Sequence, residues 1–227
     1  MFMQSSGGLS GANRFQGKDA ILSGPAGGVV GAVKTCEIVG ETRIIGFDMG
    51  GTSTDVMHYD GSYERVFETQ VAGVRVRAPM MHIHTVAAGG GSICSFHHGR
   101  FKVGPESAGA HPGPACYRNG GPVTVTDCNL MLGRIQASHF PKVFGPDANQ
   151  SLSLSIVQQK FDVLGAEIEA SGGGAMTPDA LAEGFLAVAV DSMARAIKMI
   201  SVSRIRWRLC SAVALIRAET FRRIWPT

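Results

Sequence analysis

The chain has 227 residues, 44% of them hydrophobic and 17% charged. That length can bury a sizeable core without disulfide or metal staples, and that composition excludes global disorder. The formal net charge of +3 is unevenly spread: residues 204–227 hold six arginines against the single acid Glu219, whereas residues 1–203 carry 15 basic and 17 acidic side chains. A nucleic-acid partner is therefore not expected, since the basic balance rests on the terminal stretch alone.

No apolar run approaches the roughly 18–20 residues needed to cross a bilayer, and MFMQSSGGLS lacks the charged-then-apolar layout of a secretory leader. No membrane partner is expected. The five cysteines (36, 94, 116, 128 and 210) are odd in number and lack any C-x-x-C, which favours reduced thiols in a cytoplasmic protein. Glycine is the outlier. Thirty glycines are about 13% of the chain, close to twice the usual ~7%, and 24 of them lie in residues 1–133. Glycine used that freely points to loops where backbone approaches a ligand or another strand closely.

In chain order, residues 1–20 are polar and Gly/Ser-rich without periodicity. SGPAGG (23–28) reads as a loop, and VVGAVKTCEIVG as a short helix ending near Gly40. Three strand-like runs follow, Arg43–Phe47, Thr54–Tyr59 and Tyr63–Thr69, joined by hairpin-like links into an antiparallel meander. Further short strands are expected at Val74–Ala78, His82–Val86, Ser92–Phe96 and Arg100–Val103. Residues 104–122 form a Gly/Pro-rich loop, and VTVTDCNLMLGRI passes from strand to helix. The second half is helical. Ser153–Ala170 carries Ile156, Val157, Phe161, Leu164 and Ile168 at near-helical spacing, and Thr177-Pro178 opens another helix that runs to about Val202.

The sharpest motif is GFDMGGTSTD (46–55). A strand delivers Asp48, two glycines remove side-chain bulk from the turn, and Thr52, Ser53 and Thr54 follow with hydroxyls and backbone N–H groups. Such a turn can wrap a phosphate, with Asp48 and Asp55 placed to hold Mg²⁺ directly or through water. It is not a Walker A loop, because no lysine follows the glycines. The competing reading is an ordinary Gly-Gly hairpin with Thr/Asp turn chemistry.

The second motif is MHIHTVAAGGGS (81–92). Strand alternation puts His82 and His84 on one face, a candidate substrate or metal pair, although locally satisfied polar residues explain them equally well. Gly89, Gly90 and Gly91 between strands imply contact with a ligand or a crossing backbone. In the third motif, GPESAGAHPGP, Glu106 and His111 are candidates that spacing does not place. Asp127 is either a helix N-cap or a site carboxylate.

Taken together, SGPAGGVVGA, IGFDMGGTSTDV, HTVAAGGGSI, VGPESAGAHPGPACYRNGGPVTVTD and FPKVFGP resemble the hydantoinase A/5-oxoprolinase family, most closely its 5-oxoprolinase members, from about Met3 to Arg204. The resemblance implies an α/β fold, part of an actin-like (sugar kinase/Hsp70/actin) ATPase in which a β-meander with Gly-rich hairpins is followed by helices. It implies ATP-dependent opening of the 5-oxoproline lactam to glutamate, with ATP and Mg²⁺ as cofactors and stimulation by K⁺. Gly50, Gly51, Thr52, Ser53 and Thr54 would then contact the nucleotide, and Asp48 and Asp55 would serve catalysis and the metal. The cyclic amide would lie near His82, His84 and Gly89–Gly91. A homo-oligomer is implied for the complete enzyme.

The sequence departs from the family pattern in two places. It begins at what looks like an internal position, and after Arg204 it reads IRWRLCSAVALIRAETFRRIWPT instead of a glycine-rich nucleotide-binding continuation. The expectation is a partial family domain over 1–203 and a non-family basic tail over 204–227, possibly frameshifted, with the missing halves or a second subunit as partners. A hydantoinase or carboxylase subunit, a non-catalytic interaction fragment, and a metal-dependent hydrolase built on the histidines are the competing functions.

Overall fold

The computed structural model describes residues 1–71, 73–201 and 208–213. In chain order its strands and α-helices are β1 (Phe2–Met3), β2 (Leu9–Ser10), α1 (Gly17–Ala20), α2 (Ser23–Ile38), β3 (Arg43–Met49), β4 (Thr54–Asp60), β5 (Arg65–Val66), β6 (Thr69–Val71), β7 (Val74–Val76), β8 (Met80–Met81), β9 (His84–Val86), β10 (Ser92–His97), β11 (Arg100–Ser107), α3 (Val125–Met131), α4 (Leu154–Ala170), α5 (Pro178–Ser201) and β12 (Arg208–Val213). The chain divides into two compact units. One comprises Met1–Met49, Asp55–Thr85 and the part from Arg195 onward, and the other comprises Gly50–Thr54 with Val86–Ala194.

The first unit is built on a four-stranded sheet of order β12-β3-β4-β9, with β12 parallel to β3. Ile44, Ile45 and Phe47 of β3 are all buried, as expected of a strand covered on both faces. Helix α2 presents Ala26, Val29, Val33 and Cys36, spaced three and four residues apart, to Ile44, Met57, Tyr59 and Met81. Each large apolar side chain buried in this way contributes roughly 1.5–3 kcal/mol.

Two expectations need correction here. SGPAGG is not a loop but the first turns of α2. Pro25 is the third residue of the helix, where the N–H has no intrahelical partner to lose, so proline is tolerated. Tyr63–Thr69 is not the third strand of a meander. After an isolated bridge between Tyr59 and Tyr63 the chain leaves the sheet, β5 pairs with β8, and β9 takes the place beside β4. Leaving the sheet lets the Glu64 carboxylate meet two histidines, His58 at 2.6 Å and His82 at 3.2 Å. It also puts Phe67 largely in solvent. The expected strand His82–Val86 is likewise divided, with β8 ending at Met81 and β9 starting at His84.

The second unit has the antiparallel hairpin β10–β11 and the helices α3, α4 and most of α5. The helical half follows its periodicity. Val157, Phe161 and Ile168 of α4 and Leu181, Phe185, Met193 and Ile197 of α5 are buried, while Val188 and Ile200 are half-buried. Ser153 caps α4 by accepting from Ile156 N–H, and Thr177 caps α5 by accepting from Ala180 N–H. Gly184 lets the Phe101 ring lie on α5, where it packs edge-to-face on Phe185 with centroids 4.9 Å apart.

Asp127 holds the Gly/Pro-rich loop. Its carboxylate is fully buried and accepts from the N–H groups of Ala115 (3.0 Å), Cys116 (2.8 Å) and Thr124 (2.8 Å), and from the Thr124 hydroxyl (2.8 Å). It is the acidic member of a capping box whose N-cap is Thr124.

Candidate functional site

The Gly-Gly turn and the glycine triplet meet within the second unit. Gly90 N–H donates to Gly50 O at 3.0 Å, and Gly91 N–H donates to Gly51 O at 2.6 Å. A methyl group on Gly89 would stand 2.7 Å from Ser53 N and 2.8 Å from Gly50 O, all backbone that cannot swing aside. The triplet is in turn held by Thr126, whose N–H and hydroxyl both donate to Gly90 O, and by Ala108 N–H donating to Gly91 O. Of the two readings of Gly89–Gly91, the crossing backbone is the one observed. The signal was available in the sequence, because three glycines in a row fit backbone laid on backbone.

This clamp sorts the three hydroxyls of the turn. Thr54 is fully buried and donates to Ala88 O, so its side chain holds the turn and is not free for a ligand. Thr52 is exposed and Ser53 half-buried. The carbonyls of Gly50 and Gly51, which would repel an anion, are engaged by the triplet's N–H groups. A turn so arranged can offer backbone N–H and hydroxyl donors to a phosphate.

In the first unit, Asp48 and Asp55 line one groove, together with Pro25, Gly28, Val29 and Ala32 of α2, Gly46 and Phe47 of β3, Met57 of β4, and Ile83. Its space, including the open mouth, is about 360 Å³. Thr85 donates to Asp55 Oδ1 at 2.6 Å, which fixes the rotamer of that carboxylate and leaves its second oxygen for other partners. The α2 residues of the groove recur at helical spacing, a face that reading SGPAGG as loop conceals.

His82 and His84 belong to the first unit and Gly89–Gly91 to the second. His82 contacts Glu64, and it is Ile83, between the two histidines, that lines the groove. Among the described residues, no three or more His, Cys, Asp or Glu side chains are grouped to hold a metal ion.

Burial governs the thiols. Cys36, Cys94, Cys116 and Cys128 are free and buried. The contact with Cys128 at 3.8 Å, reinforced by desolvation, raises the Cys94 pKa; desolvation, with Asp127 nearby, raises that of Cys116. The folded thiols therefore keep their protons above pH values near 8.5, where an unfolded thiol ionises. The unfolded state then binds fewer protons, so stability is expected to fall as pH rises through about 9. A urea midpoint that declines between pH 8 and 10, less steeply in Cys116→Ala, would bear this out. A flat profile would count against it.

Residues 1–206 match the family model described as hydantoinase/oxoprolinase. The chain belongs to the hydantoinase/oxoprolinase family. The 5-oxoprolinase of Saccharomyces cerevisiae is 50% identical over 205 residues, covering 89% of this chain and 16% of that protein. The ATP-dependent caprolactamase of Pseudomonas jessenii superposes with a TM-score of 0.73 at 31% identity, over 92% of this chain and 30% of the caprolactamase chain. A nucleotide-free acetone carboxylase shares the fold, with a TM-score of 0.75 at 24% identity over 89% of this chain and 28% of its own. The expected α/β class is thus the observed one. This family member spans about a sixth of the length of the curated relatives it matches. No helix among its described residues is long and apolar enough to cross a membrane.

Proposed function

We propose that the chain is part of an ATP-dependent enzyme that opens a cyclic amide, 5-oxo-L-proline to L-glutamate, and that it contributes one of several nucleotide-contacting segments. The reading is carried by the stretch 50% identical to a 5-oxoprolinase, which contains both the clamped Gly-Gly turn and the groove with its two carboxylates. An amide is a poor electrophile because its nitrogen lone pair is delocalised. Transfer of the γ-phosphoryl group to the amide oxygen makes that oxygen a leaving group. Water then attacks the carbon, the ring C–N bond opens, and phosphate departs. The chain's share is positioning and electrostatics. Gly50, Gly51, Thr52 and Ser53 would offer N–H and hydroxyl donors to the phosphates, with Thr54 holding the turn.

Asp48 and Asp55 supply the hard oxygen donors that Mg²⁺ takes, and both line one groove, so the donor set fits that ion. Bound there, the ion would neutralise phosphate charge. No K⁺ ligand set is assigned. The remainder of the catalytic centre would come from the rest of a longer protein or a second subunit, in a homo-oligomer of the cytoplasm serving glutathione metabolism. Residues 204–227, most of which lie outside the described residues, we propose to be a non-family tail after a partial family domain at 1–203. Translating the coding DNA in the other two frames tests a frameshift origin, and no glycine-rich continuation in either would sink that idea.

The test of function is a thermal melt of the chain with and without Mg-ATP, with Asp48→Ala alongside. Ligand at ~100 times its dissociation constant should add about 2.7 kcal/mol to a binding-competent state. An upward shift confined to the unmutated chain supports the reading, and identical melts with and without Mg-ATP count against it. By itself the chain is expected to hydrolyse neither ATP nor 5-oxoproline at a useful rate. Turnover abolished by Asp48→Ala would overturn that expectation.

A further inference from the structure

The groove of the first unit has an uneven chemistry. Val29, Ala32, Phe47, Met57 and Ile83 make apolar walls, while Asp48 and Asp55 supply carboxylates where β3 ends and β4 begins. None of its lining residues is basic. A ligand suited to it has a small, uncharged apolar body and an N–H donor on one edge, since apolar walls desolvate the body and a carboxylate accepts from the donor. Asp55 Oδ1 is already taken by Thr85, which leaves Oδ2 and the Asp48 carboxylate for that donor.

We propose that this groove seats the ring of a cyclic amide, with its methylene carbons on the apolar walls and its N–H toward Asp48 or Asp55. The inference rests on the functional reading above and relocates its substrate, since Ile83 lines the site and His82 is engaged by Glu64. It also divides specificity. With no basic residue in its lining, the groove recognises the ring and the amide, so a ring carboxylate such as that of 5-oxoproline is read by residues outside it.

The test is an NMR titration of the full chain carrying labelled methyl groups. Met57 and Ile83 report on the groove, and Ile168 of α4, buried in the other unit, serves as control. A ligand this small binds in about the millimolar range. 2-Pyrrolidinone is expected to shift Met57 and Ile83 saturably and leave Ile168 unmoved, and 5-oxoproline to bind no more tightly. N-methyl-2-pyrrolidinone, which lacks the N–H, should bind about tenfold more weakly.

Two variants fill the groove. Ala32→Leu enlarges a half-buried position. Gly28→Ala adds a methyl group whose nearest neighbour is Asp48 Oδ2 at 3.7 Å, an ordinary contact that leaves the fold undisturbed. Each should weaken 2-pyrrolidinone binding, Ala32→Leu at least tenfold. Absence of a saturable shift, binding of 5-oxoproline alone, or unchanged affinity in both variants overturns the proposal. The Mg-ATP melt separates the two claims: a melt that shifts while the lactam fails to bind refutes the groove assignment alone. Lactam binding without a nucleotide shift leaves the groove and removes the ATP-dependent reading.

Discussion

Gly89→Ala is expected to destabilise the chain by about 3 kcal/mol or more, the upper range for overpacking. The added carbon would lie 2.7–2.8 Å from Ser53 N, Gly50 O and Gly51 C, and all three are main-chain atoms of the turn. Relief requires separating the triplet from the turn, which breaks the bonds from Gly90 to Gly50 and from Gly91 to Gly51. With roughly 2–4 °C per kcal/mol for a chain of this size, the melting temperature should fall by about 6–12 °C. Gly31→Ala makes the control. Gly31 is exposed on α2 and its added methyl group meets nothing within 4 Å, so helix propensity should stabilise that variant by up to ~1 kcal/mol. Equal melting temperatures for the two variants would refute the clamp.

Asp127→Ala is expected to cost about 3–5 kcal/mol, as removal of a buried, multiply bonded carboxylate does. Three buried N–H groups, on Ala115, Cys116 and Thr124, lose their acceptor, and each orphaned donor costs ~1–3 kcal/mol. Asp127→Asn should cost less. It keeps one acceptor oxygen, which can serve the donors on Oδ2 while the Cys116 N–H faces an amide nitrogen. Denaturant unfolding of both variants checks the order. Protease sensitivity of residues 104–122 should rise in the alanine variant, since that loop is anchored through Ala115 and Cys116. If the asparagine variant were the less stable, the carboxylate would not be acting as an acceptor for the loop.

Much of this was legible in the chain. Periodicity located α4 and α5, the caps Ser153 and Thr177 stood where their sequence pattern put them, and GFDMGGTSTD marked a strand–turn–strand. Those features are local. Hydrophobic spacing and capping chemistry act within a few residues, so a sequence displays them directly.

What the sequence left open depended on partners distant along the chain. SGPAGG looks like a loop because glycine and proline oppose a helix. Burial of Ala26, Val29, Val33 and Cys36 against β3 and β4 overrides that preference. Val66 and Phe67 looked like strand residues beside β4, yet β9 occupies the place. Thr54 resembled its neighbours Thr52 and Ser53 as a phosphate donor until Ala88, 34 residues away, claimed its hydroxyl. The sequence by itself determined the family, the helices and the Gly-Gly turn. Only the tertiary structure decided that Gly89–Gly91 is the turn's backbone support, and that Asp48, Asp55 and Ile83 share a groove, because such contacts are set by how distant segments pack.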